Sequence, residues 1–218
     1  MPRLLFEKTG SAVWISHLDL MRLFQRAFKR AGLPLTHTQG FNPRPSVSIA
    51  MPMSVGVESC CELLDFDLYG EPIPHAQILT RLNDALVAGV RVLQVYDEGK
   101  KIKHLAYLSC AVTMEYDRTL PDTAADSIRN LFAQPEVLVE KKSKNGVTQQ
   151  NIIPMIQSLQ VIPGEGEIRL EALVCCQNPS LNPMQLSTAV TQYLPELAPD
   201  HVLCARLEIY DTENKVFR

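Results

Sequence analysis

The chain lacks the usual signatures of nucleotide and acyl chemistry: it has no P-loop, no G-x-G-x-x-G and no Ser/His/Asp set. Its cysteines, at positions 60, 61, 110, 175, 176 and 204, form no C-x-x-C pair and no C-x3-C-x2-C run, and no histidine stands at zinc-ligand spacing. That excludes a zinc ribbon and a three-cysteine iron–sulfur site, so no cofactor is expected. Two of these cysteines pairs are adjacent residues in strand-like runs, where neighbouring side chains point to opposite faces, and reduced buried thiols are expected. No apolar run approaches the roughly 20 residues of a membrane span, and the start M-P-R-L-L-F-E-K has no signal-peptide core. No membrane is expected, and the location reads as cytoplasmic. Excess positive charge is missing too: the net charge is −3, so any nucleic-acid role must come from a local patch.

What is there is a globular composition, 46% hydrophobic and 21% charged, which leaves room for a core in one large domain or two small ones. The most informative stretch runs from Ser16 to Ser59. Ser16 and Asp19 fit the S-x-x-[DE] start of a helix, and Asp19 places a carboxylate where the helix dipole favours it. Gly32 and Pro34 stop that helix. At about 100° per residue, Leu20, Met21, Phe24, Ala27, Phe28 and Ala31 share one face. Arg22, Arg26, Lys29 and Arg30 share the other.

Around this helix the pattern alternates. Leu4–Lys8 and Ala12–Ile15 read as strands, with a turn at Gly10; Leu35–Thr38, Ser46–Met51, Glu62–Tyr69 and Val90–Tyr96 follow, with a helix over Pro74–Ala88. The charged stretch Asp97–His104 reads as a linker. Beyond it come strands at Leu108–Tyr116, Val137–Lys142, Ile168–Gln177 and Leu203–Tyr210, and helices at Asp122–Ala133 and from Asn182 to about Tyr193. Asn145-Gly146 signals a hairpin, and Asn151–Leu159 is open between strand and short helix. The expected class is α+β: two ferredoxin-like (βαββαβ) halves, residues 1–98 and 105–218, each a helix-backed antiparallel sheet. A single α+β domain with one long sheet is the rival.

The candidate site residues lie in the first half. Arg22, Arg26, Lys29 and Arg30, with Arg44 in the following loop and Lys8 before, suit phosphate, because guanidinium forks match its oxygens. A solvated helix face is the alternative. In the loop Gln39-Gly40-Phe41-Asn42-Pro43-Arg44-Pro45, a Phe on a backbone stiffened by two prolines can stack a base while Gln39 and Asn42 read polar edges. The alternative is that Phe41 plugs the core and Asn42 caps a turn. His17 is a core-edge histidine, a phosphate contact at the helix start, or a weak catalytic candidate. Glu58 reads as part of a turn or as a partner for an arginine, and the lysines at 100, 101, 103, 141, 142 and 144 as a possible extension of the basic surface.

The runs F-E-K-T-G, S-H-L-D-L-M-R, F-K-R-A-G-L-P-L, G-F-N-P-R-P and S-I-A-M-P-M with G-V-E-S, in that order from Phe6 to Leu68, resemble the uncharacterised "radical SAM-linked" family. The resemblance is weak in the second half, where L-N-P-M at Leu181 is its best trace. It implies a radical SAM partner enzyme that carries the cluster, with this chain as an accessory unit, and it supplies no catalytic residues. The residues themselves suggest an RNA-binding accessory protein. A metal-independent ribonuclease or small-molecule enzyme using His17, and a protein–protein adapter, are the alternatives. Anaerobic reconstitution of this chain with iron and sulfide is expected to give no charge-transfer absorbance; a stoichiometric cluster would contradict the accessory reading.

Overall fold

The computed structural model describes residues 1–97, 99–143 and 146–218. It is a mixed α+β structure in two units, one of residues 1–102 with Arg218 and one of residues 103–217.

The first unit contains β1 (Arg3–Lys8), α1 (His17–Arg30), β2 (Val47–Ile49), β3 (Val57–Phe66), α2 (His75–Ala85) and β4 (Val90–Tyr96). Its strands pair antiparallel in the order β4-β1-β3-β2. Helix α1 starts as its sequence indicates. The Ser16 hydroxyl accepts from the Asp19 amide at 3.2 Å and donates to Asp19 Oδ2 at 2.8 Å, so one residue satisfies a free N–H and orients the carboxylate. It ends at Gly32, whose φ of +65° lets the Leu33 amide return to the Phe28 carbonyl at 2.9 Å. Leu20, Phe24, Ala27 and Phe28 are buried in one core with Leu4, Phe6, Leu64, Phe66, Ile78 and Leu82. Phe6 meets Phe24 edge-on at 4.7 Å between ring centroids, and Phe28 meets Phe66 at 5.0 Å.

The segment expected as a strand over Ala12–Ile15 is instead a 3-10 turn, Gly10–Trp14. The reason is Lys8. Its side chain is fully buried, and its ammonium donates to the carbonyls of Val13 (3.1 Å) and Ile15 (3.2 Å). A charge out of water needs such partners, and gathering two carbonyls from nearby residues curls the chain between them. Lys8 is therefore part of the framework and does not extend the exposed basic face. The turn is pressed against Gly89: a Cβ there would lie 2.4 Å from the Thr9 carbonyl oxygen, and φ is +83°. Leu35–Thr38 is likewise no strand; it is held by single bridges, Leu35 to Leu68 and His37 to Pro45.

The stretch expected as a linker contains the boundary between the two units, at residues 102 and 103, and its first-unit part is anchored. Gly99 packs against the Arg3 guanidinium, and the Lys100 carbonyl accepts from Arg3 Nη1 at 2.8 Å. Arg3 also forks onto Asp65, at 2.6 and 3.1 Å, and this bidentate, mostly buried pair ties β1 to β3.

The second unit contains β5 (Leu105–Glu115), α3 (Ala124–Phe132), β6 (Leu138–Ser143), β7 (Gly146–Asn151), β8 (Ile156–Gly164), β9 (Glu167–Cys175), α4 (Met184–Tyr193) and β10 (His201–Asp211). The order is β10-β5-β9-β8, antiparallel throughout, and β6 and β7 form a separate hairpin. The Asn145 of the hairpin signal, Lys144 and Glu98 lie outside the described residues. The open stretch after Asn151 resolves into a short 3-10 turn, Ile153–Met155, and then β8. Asn182 caps α4 through Oδ1, which accepts from the Met184 amide at 3.2 Å.

All six cysteines are free thiols; Cys61, Cys110 and Cys204 are buried, whereas Cys60 is exposed. Burial pushes the Cys110 thiol up to about 12 and Cys204 to about 11, so both are inert. Among the described residues, no helix is long and apolar enough to cross a membrane. Replacing Lys8 by Met removes the donor to two enclosed carbonyls and is expected to lower stability by about 2–4 kcal/mol in urea unfolding. A loss below about 0.5 kcal/mol, the size of an ordinary surface change, would show that the turn does not depend on Lys8.

Candidate nucleic-acid interface

Arg22, Arg26 and Arg30 are four residues apart, so their side chains recur on one side of α1. They line a groove of about 430 Å³ whose apolar parts are Ile15, Leu23 and Val87. Their guanidinium groups differ in state. Arg22 pairs with Asp19 at 2.9 Å, and the Ser16 hydrogen bond, then Arg22 itself, holds the Asp19 carboxyl below its usual range. Asp19 is thus ionised at neutral pH and offsets part of the positive charge. Arg30 donates to the Ala85 carbonyl at 2.6 Å, at the C-terminal end of α2, which fixes its direction without neutralising it. Arg26 makes no hydrogen bond or ion pair among the described residues. Lys29 is exposed but outside this groove.

The loop from Gln39 to Pro45 projects from a clamped base. The Thr38 amide donates to the Arg44 carbonyl (2.8 Å), the Arg44 amide to Thr38 Oγ1 (3.0 Å), and the Ser46 amide to the Thr36 carbonyl (2.8 Å). Thr36 is tied in turn to Asp67 by a 2.9 Å side-chain hydrogen bond. Gly40 at φ +135° makes the bend that only glycine tolerates readily. At the tip Phe41 is 104% exposed, which settles its two readings: it is a surface aromatic and fills no core. Gln39, Asn42 and Arg44 are exposed with it. These residues lie outside the arginine groove lining.

His17 opens α1, half-buried, with Nδ1 enclosed and no hydrogen-bond partner among the described residues. No carboxylate pairs with it among them, so no acid/base dyad is assembled. Among the described residues Glu58 pairs with no arginine; its Oε1 accepts from the Gly10 amide at 3.1 Å. Among the described residues there is no group of three or more His, Cys, Asp or Glu side chains that could hold a metal. The side chains of Lys141 and Lys142 and all of Lys144 lie outside the description.

Sequence reasoning missed three residues here. Trp14 is 71% exposed, because the 3-10 turn replaces a strand that would have tucked one face inward. Tyr69 is 74% exposed beside the loop base, its amide bonded to the Pro34 carbonyl at 2.8 Å. Arg81 of α2 shares a second shallow groove with Arg30. Only Arg81 had a legible signal, its position four residues after Gln77, which it hydrogen-bonds at 3.2 Å.

Residues 2–183 match the family described as an uncharacterized protein conserved in bacteria (DUF2344). The chain belongs to that family. No curated protein matches it. Among solved structures it is similar to a chain of a Cbf5-Nop10-Gar1 complex, with TM-score 0.52 and 9% identity over 95% of this chain and 48% of that one. It is also similar to a chain of an H/ACA RNP bound to a substrate RNA containing 2′-deoxyuridine, with TM-score 0.48 and 8% identity over 94% and 46%. The DUF2344 chain spans about half the length of these solved chains. At such identity the likeness speaks to the fold alone.

Because Phe41 is fully exposed, Phe41→Ala is expected to leave the unfolding free energy from urea titration within about 0.5 kcal/mol of the parent. A core phenylalanine would lose about 3–5 kcal/mol, and a loss of that size would overturn the exposed loop tip.

Proposed function

We infer that this DUF2344 protein is an RNA-binding accessory unit that presents RNA to a modifying partner enzyme of the radical SAM type. The observation that carries the RNA part is the presence, in one unit, of both a guanidinium-lined groove and a wholly exposed aromatic on a backbone-clamped loop. Proteins that hold single strands combine these two parts: cations track the phosphates and aromatic rings stack the bases. Arg26 is the uncommitted phosphate ligand, Arg30 and Arg22 flank it, and Lys29 and Arg44 add charge. Phe41 stacks, and Gln39 and Asn42 offer amide groups to base edges. A chain of net charge −3 binds RNA only through such a local face.

The radical SAM partner rests on the motif resemblance between Phe6 and Leu68 and on nothing in the geometry. The element order βαββαβ, with strand order 4-1-3-2 in each unit, supports reading the halves as ferredoxin-like, about residues 1–98 and 105–218, the second carrying the β6–β7 hairpin as an insertion. His17 is a structural residue in this account.

The salt dependence of binding tests the face directly. Each phosphate contact contributes about 0.7 to the slope of log affinity against log salt on a single strand. The combined change Arg26→Ala, Arg30→Ala and Arg44→Ala is expected to flatten that slope by about 2 in fluorescence anisotropy titrations. A variant with the slope of the parent, or a parent that shows no salt-dependent binding, would contradict the RNA reading and leave the adapter reading in its place.

A further inference from the structure

Leu18, Arg22, Arg26 and Arg30 succeed one another at four-residue steps along α1, each step rising about 6 Å, which is of the order of the step between neighbouring phosphates on one nucleic-acid strand. All four are exposed, Leu18 at 67%. Trp14 closes the 3-10 turn before α1, next in sequence to the groove-lining Ile15 and separated from the helix by the extended Ile15 and Ser16.

The indole is held as well as exposed. Its Cζ3 lies 3.7 Å from the point where a Cβ on Gly56 would sit, so the ring rests on the Gly56 turn. Both neighbours in sequence are pinned: the Val13 carbonyl accepts from the Gly56 amide (2.9 Å) and from Lys8 Nζ (3.1 Å), and the Ile15 carbonyl from Lys8 Nζ (3.2 Å). A fixed aromatic face loses little conformational freedom when it takes a partner. Any base presents a π-face to such a platform, but bases in a duplex already stack on one another and leave it nothing to hold.

We propose that Trp14 is a base-stacking platform in the turn that precedes the Arg22-Arg26-Arg30 row, and that the site takes a single strand laid along α1. This rests on the RNA reading above and adds its substrate class, its path and a residue outside the Phe41 loop. The cations supply the complement to the phosphates, and the indole supplies the preference for unpaired bases.

Trp14 is the only tryptophan in the chain, so its emission reports on this position alone. The experiment titrates the full chain with a short oligouridylate, with the same strand paired to oligoadenylate, and with inorganic polyphosphate, following both anisotropy and Trp14 emission. The single strand is expected to quench the emission; the duplex and polyphosphate are expected to leave it unchanged. Trp14→Leu, which keeps an apolar side chain, is expected to weaken single-strand binding about 5- to 150-fold with the salt slope unchanged, and Trp14→Tyr to retain most of the affinity. Salt-dependent binding of the single strand without a change in Trp14 emission, and with Trp14→Leu equal to the parent, overturns the platform and leaves the RNA reading standing. Equal quenching by duplex overturns the single-strand preference. No salt-dependent binding by the parent overturns both.

Discussion

The buried ammonium of Lys8 is the constraint on which the start of α1 in the first unit depends. An amine enclosed in protein must find acceptors, and here the Val13 and Ile15 carbonyls provide them. Those two bonds convert what would be a second strand into a 3-10 turn. The turn delivers Ser16 to the cap position, and the cap fixes which residues α1 buries. With Phe24 and Phe28 turned to the sheet, Arg22, Arg26 and Arg30 must point away from it. The buried cation shapes the turn that leads into α1, and the apolar face of the helix decides where the exposed cations stand.

The exposed face is shaped by partial restraint. Arg30 is aimed by a backbone carbonyl and keeps its full charge, while Arg22 shares its charge with an Asp19 that Ser16 holds in place. A carboxylate beside the row weakens non-specific attraction of any anion; Asp19 feels the charge of Arg26 as well as that of Arg22, but it hydrogen-bonds only Arg22 of the two. The loop that carries Phe41 follows the same logic. Its base is tied by backbone bonds and by Thr36 to Asp67, so the tip stays in the open although an aromatic side chain would gain from burial.

Much of this was legible in the sequence, and the failures have a common physical origin. The Ser16 cap, the Gly32 stop and the apolar face of α1 are local, repeat at the period of one helix, and appear as read. The alternation of strands and helices likewise predicted an α+β chain, and the structure is α+β. What escaped depended on contacts between side chains and backbone groups that no residue pattern announces, some local and some distant. Lys8 looked like one more cation, because nothing in β1 reveals that two carbonyls will close over it. Trp14 was hidden in an expected strand, and Glu58 was free to be matched with any arginine until the Gly10 amide claimed it. Phe41 was undecided because a rigid Gly/Pro loop can insert a ring or display it, and only its tie to residues at 67 and 69 decides which.

The central claim is that unpaired RNA lies on the first unit along α1. Photocrosslinking of the full chain to a thiouridine-containing single strand, followed by peptide mapping, tests it most directly. The account predicts crosslinks concentrated between residues 10 and 45, at the Trp14 turn and the Phe41 loop, and lost when competing single strand is added in excess. Crosslinks confined to residues 103–217, or an absence of specific crosslinks, would contradict it.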